Sequence, residues 1–310
     1  SFISRVSWVT AIVTGIIFVS LSILVGVQSR RNMRQTVEET AFSQLDYINL
    51  EISSVLADVS IAVSNIAPLV ERELMRPTPD SAYLAYLITH IVDNDRKVCA
   101  SNLSLDPGVM PGRETYSLQV SEDETIGLVS RQVASDTFLY QYQDWYVIPR
   151  QLDHDFWTDP YTSLLTKGLI LVSHSMPLHD QSGRFLGVLR ADVNVSYFTR
   201  YLKENSRHAH SYNIMIAGDA TFIVHPDVNN LQSQSIYSLH YDDPDSTWRH
   251  IGDEMTAGHV GKAELKDEMG RWLVFFAPIK NMSWSAAIVG HTGDIFKATT
   301  KQPRLYLFLT

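Results

Sequence analysis

The chain has 310 residues, 45% of them hydrophobic and 19% charged, which supports a packed core, excludes a disordered chain and leads one to expect about two domains. Its formal net charge of −9 argues against a nucleic-acid binder, which needs clustered Lys and Arg to displace counterions. A single cysteine, Cys99, leaves no internal disulfide and no cysteine-based zinc site.

No charge occurs from Ser7 to Val27, and about 21 residues at ~1.5 Å each match a hydrocarbon layer of ~30 Å. This predicts a transmembrane anchor within residues 1–31, with Trp8 at one interface and Arg30, Arg31 and Arg34 past the other. A cleaved signal peptide would have a shorter apolar run ending in a small-residue site, whereas this one passes straight into QSRRNMRQ. The arginines favour a cytoplasmic side for the segment C-terminal to them, yet large domains are translocated despite local charge. Leu45, Ile48, Ile52, Val55, Val59, Ala62, Ile66 and Val70 then recur every three or four positions, which predicts a stalk helix over 32–76. Pro77 and Pro79 end it. A helix so long packs on its own domains or on a second copy, and a homodimer through the stalk is expected.

Tyr83, Leu84, Leu87, Ile88 and Ile91 give a shorter helical face after an Asp80–Ser81 cap. From Lys97 on, short β-rich runs (TIGLVS, GLILVSHSM, FLGVLRADVNV) alternate with turn clusters, and the clearest hairpin has Asp180 to Gly183 at its tip. A helix near Val195–Asn205 leads to a second set: NIMIAGDATFIVHPD, the helix STWRHIGDEMTAG, then GKAELKDEMGRWLVFFAPIKNMSWSAAIVG. The repeated order predicts two α+β lobes in series, a distal one over 77–194 and a proximal one over 195–298. Apolar residues Leu305 to Leu309 come after Lys301–Arg304, so 299–310 is expected to open a second membrane helix, with an output domain beyond it.

The stretch DWYVIPRQLDHDFWTDPY followed by LVSHSMPLHDQSGRFLGVLRADV resembles the double Cache sensor domains of histidine kinases, chemoreceptors, diguanylate cyclases and PP2C-type phosphatases. The residues that carry the resemblance are Trp145 and Tyr146; Trp157, Thr158, Asp159, Pro160 and Tyr161; Pro177; and Gly183, Phe185, Gly187, Val188, Ala191 and Asp192, with the His225–Pro226 pair in the second half. The resemblance implies an α+β fold in which a membrane helix precedes a stalk and two tandem PAS-like lobes built on antiparallel sheets. It also implies an extracytoplasmic sensory module at the cell (inner) membrane, periplasmic or extracellular, which holds a small molecule (an amine, amino acid or carboxylate) in its distal lobe. No cofactor, metal or catalysis is expected of such a module. The alternatives are a membrane-anchored hydrolase and a structural ectodomain with a vestigial pocket.

Alternation along GVLRAD puts Val188, Arg190 and Asp192 on one strand face. In amino-acid-binding members of the family an arginine two residues before the WY pair holds the ligand carboxylate and the Asp of the A-D pair takes the amine. This chain has Gln143 at that arginine position and Phe138 where a tyrosine is usual. The expected ligand set is therefore Gln143, Trp145, Tyr146, Asp159, Tyr161, Ser173, Arg190 and Asp192. In it Arg190 either clamps a carboxylate with its planar fork or closes on Asp192 as an ion pair. Asp153, His154 and Asp155 suggest a metal cluster, but adjacent loop residues rarely converge.

Overall fold

The computed structural model describes residues 2–93, 97–123, 125–135, 138–166, 168–204, 211–231, 234–239, 241, 246–267 and 270–292. The expected second membrane helix over 299–310 lies outside them, as does Asn205.

Anchor and stalk are one element. Helix α1 runs without a break over Phe2–Leu74, 73 residues, or roughly 110 Å at ~1.5 Å per residue. Its apolar stretch from Val13 onward has no protein covering it, which is tolerable in lipid and costly in water. From Val37 the character changes. Leu45, Ile48, Ile52, Val55, Val59, Val63 and Val70 are buried, the stripe expected of a helix lying against other layers. Beyond the helix end, Glu73 Oε1 accepts the backbone N–H of Asp80 (2.8 Å). Asp80 Oδ1 in turn accepts the N–H of Ala82 (2.8 Å) and caps α2, Ser81–Asp93.

The distal sheet has seven strands: β1 Val98–Leu105, β2 Tyr116–Asp123, β3 Gly127–Gln132, β4 Phe156–Trp157, β5 Tyr161–Thr162, β6 Ile170–His179 and β7 Phe185–Asn194. Their order is β3-β2-β1-β7-β6-β4, with β5 also on β6, and all pairings are antiparallel. The β6–β7 hairpin turns at Asp180–Gly183, where Asp180 Oδ1 accepts the N–H groups of Ser182 (2.8 Å) and Arg184 (3.0 Å). Gly187, at φ +152°, lets β7 approach β1 closely. A Cβ there would lie 2.7 Å from Leu105 Cα, so the glycine of the GxFxG run is a packing requirement.

One face of this sheet, with Leu103, Leu118, Val172, Leu189, Ala191 and Val193, forms a core with α1 and α2. Helix α3, Asp144–Leu152, lies over β6 and β7 on the other face, where Val188 packs with Tyr140, Trp145 and Tyr146.

Helix α4, Val195–Glu204, leads to a five-stranded sheet of β8 Ser211–Ile216, β9 Phe222–Val224, β10 Gly261–Asp267, β11 Gly270–Pro278 and β12 Ser285–His291, in the order β10-β11-β12-β8-β9. Helices α5, Ile236–Leu239, and α6, Thr247–Thr256, cover one of its faces. Its other face joins the stalk core through Met215, Ala277, Trp284 and Ile288. The stalk thus runs past both lobes and packs on each.

Candidate functional site

The face of the distal sheet under α3 is polar although it is buried. Strand register aligns its side chains in cross-strand rows. Gln119 pairs Asn102, Asn102 pairs Arg190, and Arg190 pairs Ser175. One row over, Ala100 pairs Asp192, which pairs Ser173. Gln119, Asn102, Arg190, Ser175, Asp192 and Ser173 are all buried. A buried polar floor carries a desolvation cost that must be met by hydrogen bonds or by a guest.

Asp192 is the best-satisfied member. The Arg190 guanidinium meets it at two points, Nη2 donating to Oδ2 at 3.0 Å and Nε lying 2.9 Å from Oδ1, with side-chain exposures of 1% and 0%. Ser173 Oγ donates to Asp192 Oδ1 at 2.6 Å, and Tyr161 OH lies 2.8 Å from Ser173 Oγ. Above the pair sits Trp145, whose ring centroid is 3.9 Å from the Arg190 guanidinium carbon, a cation–π contact in a desolvated place. Burial raises the Asp192 carboxyl above its ordinary value, and the Arg190 charge and the Ser173 hydroxyl oppose that rise. Burial likewise raises the Tyr161 phenol, so it stays protonated and donates.

Five of the eight expected residues therefore converge: Trp145, Tyr161, Ser173, Arg190 and Asp192. Of the two postures expected for Arg190, the structure holds the ion pair. Tyr146 lies beside them in the aromatic layer, edge-on to Trp145 and Phe185, with its hydroxyl donating to Asp106 Oδ1 at 3.2 Å. Gln143 acts through its backbone as the residue that starts α3, its carbonyl accepting the N–H groups of Tyr146 and Val147, both at 2.9 Å.

Asp159 is elsewhere. The chain leaves the ladder between β4 and β5, and Asp159 turns to the proximal lobe, beside the Gly218 N–H. Burial at that seam, then the charge of Asp219, raise its carboxyl.

The loop acids also separate. Asp155 pairs with His174 Nε2 (2.8 Å) and Asp153 with His179 Nε2 (2.8 Å). No group of three metal-ligating side chains occurs among the described residues.

Sequence reasoning missed Asn102, Gln119 and Ser175. The signal was present in part: Asn102 and Ser104 in VCASNLSL, and Ser117, Gln119 and Ser121 in YSLQVSED, fall at every second position, the mark of a strand with one polar face. Read beside GVLRAD, they give one continuous floor.

The lobes meet through the segment just before Tyr161. Trp157 Nε1 donates to Ser60 Oγ of the stalk at 3.2 Å, and its ring packs on His174. Thr158 Oγ1 accepts the Ser173 N–H at 3.0 Å. Beside this seam lies an open crevice of about 500 Å³ lined by Leu56, Ser60, Trp157, Lys280 and Met282.

Residues 84–200 match the family described as methyl-accepting chemotaxis protein-like, first PDC sensor domain. No curated protein sequence matches the chain. Among solved structures, the chain is similar to the extracellular domain of a histidine kinase, mmHK1S-Z3 (15% identity, TM-score 0.68, covering 87% of this chain and 97% of that one). It is also similar to the periplasmic sensory domain of the Campylobacter jejuni chemoreceptor Tlp1 (14%, 0.67, 86% and 98%). A third is the ligand-binding domain of the Pseudomonas aeruginosa PAO1 amino acid chemoreceptor PctC, in complex with GABA (17%, 0.57, 82% and 99%). The chain shares the double-lobed, dCache-like fold of these sensor domains, and residues 84–200 of its distal lobe are similar to the chemoreceptor-like first PDC sensor domain.

Proposed function

We propose that this chain is the extracytoplasmic sensory module of a transmembrane signalling receptor, held in the cell (inner) membrane by the outer part of α1, and that its distal lobe binds a small amine, amino acid or carboxylate. The observation that carries the reading is the buried Arg190–Asp192 pair beneath Trp145, set on the sheet face that does not build the main core. A fold gains little by burying charge that apolar residues could replace. A recognition site gains specificity from it.

A ligand shifts a receptor only through different affinities for two conformations. The route for such a shift is covalent and short. Tyr161 touches Ser173 of the floor, Asp159 lies beside Gly218 of the proximal lobe, and Trp157 holds Ser60 of the stalk. The free side of the stalk fits a second copy. Ser43, Tyr47, Leu50, Ser54, Ala57, Ile61 and Ser64 are exposed at alternating steps of three and four, the spacing of a coiled-coil seam. A homodimer would couple the displacement of one stalk to its twin.

The test is a thermal-shift screen of the whole chain in detergent against amino acids, amines and organic acids. Saturation at ~100 times the dissociation constant adds about 2.7 kcal/mol. Hits whose affinity changes in a folded Asp192→Ala variant support the reading, and recovery of the ligand unaltered separates sensing from hydrolysis. The complete closure of the charged pair favours one second reading, a structural ectodomain with a vestigial pocket, which gains if every compound leaves the melting temperature unmoved.

A further inference from the structure

The polar floor is not evenly satisfied. In the row Gln119–Asn102–Arg190–Ser175, three buried groups have no hydrogen-bond partner among the described residues: Gln119 Nε2, Arg190 Nε and Ser175 Oγ. The Nε–H of Arg190 is close to Asp192 but off the hydrogen-bonding line, so the contact there is one of charge alone. The exposures of the three residues are 3%, 1% and 0%, which leaves bulk water no route to them. Asn102, between them, is occupied on its other side by Ser104 (2.5 Å) and Ser117 (3.4 Å).

These groups have a common polarity. The amide Nε2 and the guanidinium Nε are donors only, and the serine hydroxyl can donate. The acceptor side of the floor is the reverse: Asp192 already takes Arg190 and Ser173, and Ser173 takes Tyr161. The place where a ligand's ammonium would bind is therefore filled by the chain's own guanidinium, while the donors next to it go unanswered.

From this polarity we infer that the distal site takes a small carboxylate, seated on Arg190, Gln119 and Ser175, and that an amino group on the ligand contributes nothing. The inference rests on the reading of the distal lobe as the ligand site. It assigns Gln119 and Ser175 as specificity-determining residues. A carboxylate, whose two oxygens only accept, would answer donors of this row while the Arg190–Asp192 pair stays closed. A lone ammonium would have to displace Arg190 and strand it without a counter-charge, at the cost that accompanies breaking one side of a buried pair.

The experiment measures binding of propionate, alanine and propylamine to the whole chain in detergent micelles by calorimetry. The wild type is compared with Gln119→Met and Ser175→Ala. Propionate is expected to bind, alanine to bind no more tightly than propionate, and propylamine not to bind. Each substitution is expected to weaken propionate about tenfold or more, the scale of a hydrogen bond to a charged group. Each is also expected to leave the melting temperature of the unliganded protein unchanged or raised, because it removes an orphaned polar group and not a contact. A variant that lowers that temperature sharply shows that its side chain had a partner and overturns its assignment. Propylamine binding, or a clear preference for alanine, overturns the carboxylate inference while the distal-site reading stands. Failure of all three probes to bind overturns the inference, and failure across the broader screen removes the reading beneath it.

Discussion

The indole of Trp157, from the distal lobe, meets that of Trp284, from the proximal lobe, edge-on, with centroids 6.3 Å apart and planes at 69°. Phe198 on the connecting helix closes on Trp284 at 6.4 Å, so three elements share one aromatic joint. Trp157→Ala should cost about 3–5 kcal/mol, the usual loss for deleting a packed aromatic, while Trp157→Phe should keep most of the packing and lose only the bond to Ser60. Denaturant unfolding checks the order: alanine far below phenylalanine, phenylalanine slightly below wild type.

The Arg190–Asp192 pair should behave asymmetrically in a mutant cycle. Either Arg190→Met or Asp192→Leu alone leaves an uncompensated buried charge and should cost about 3–5 kcal/mol, whereas the double variant should recover most of that loss. Chemical denaturation of all four proteins measures the coupling. Additive losses would show that the two charges do not depend on each other.

His174 gives the protein an acid-side weakness. Burial holds its pKa below the ordinary histidine value, and Asp155 only partly opposes this. Below the unfolded-state value the unfolded chain therefore carries a proton that the folded chain lacks. The stability tied to His174 is complete above that value of about 6.5 and is lost as pH falls beneath it. His174→Phe should flatten the part of the stability profile between the two values. Melting temperatures of both proteins across that range check it, and parallel profiles would contradict it.

Cys99 is a reporter of the same sheet. Its thiol lies 3.3 Å from the Asp192 carbonyl oxygen, and burial, the largest influence, pushes its pKa up to about 12. Since the thiolate is the reactive form, alkylation at neutral pH should be slow in the native protein and rapid in denaturant. Fast native labelling would show that the β1–β7 seam opens.

Much of the fold was legible because its signals are local. The stripe Leu45 to Val70, the Asp80 cap and the Asp180–Gly183 hairpin each arise from neighbours a few residues apart. The site was half legible: alternation in GVLRAD put Arg190 with Asp192, but the floor needs strands β2, β1, β7 and β6 in register, a long-range pairing that Asn102 and Gln119 do not announce individually. Asp159 was expected in the site because it neighbours Tyr161 in the WTDPY run, but the segment between β4 and β5 turns it to the proximal lobe. The continuity of α1 across Arg30, Arg31 and Arg34 is likewise visible only in the structure, because a change from apolar to amphipathic sequence marks a change of surroundings and not a break in the helix.

The exposed stalk seam makes its own prediction. Leu50 and Ile61, 67% and 57% exposed, are the branched aliphatic residues of that seam, and Leu50→Arg with Ile61→Arg should shift a detergent-solubilised dimer to monomer without changing the fold. Light scattering coupled to size exclusion, with circular dichroism alongside, reads both. An unchanged mass for the double variant would place the interface elsewhere.

The most direct measurement is a crystal structure of the protein soaked with a compound that raises its melting temperature. The account predicts that compound beside Trp145, against the floor formed by Gln119, Arg190 and Ser175. Finding it in the interlobe crevice beside Lys280 and Met282, with the distal floor unchanged, would contradict the account.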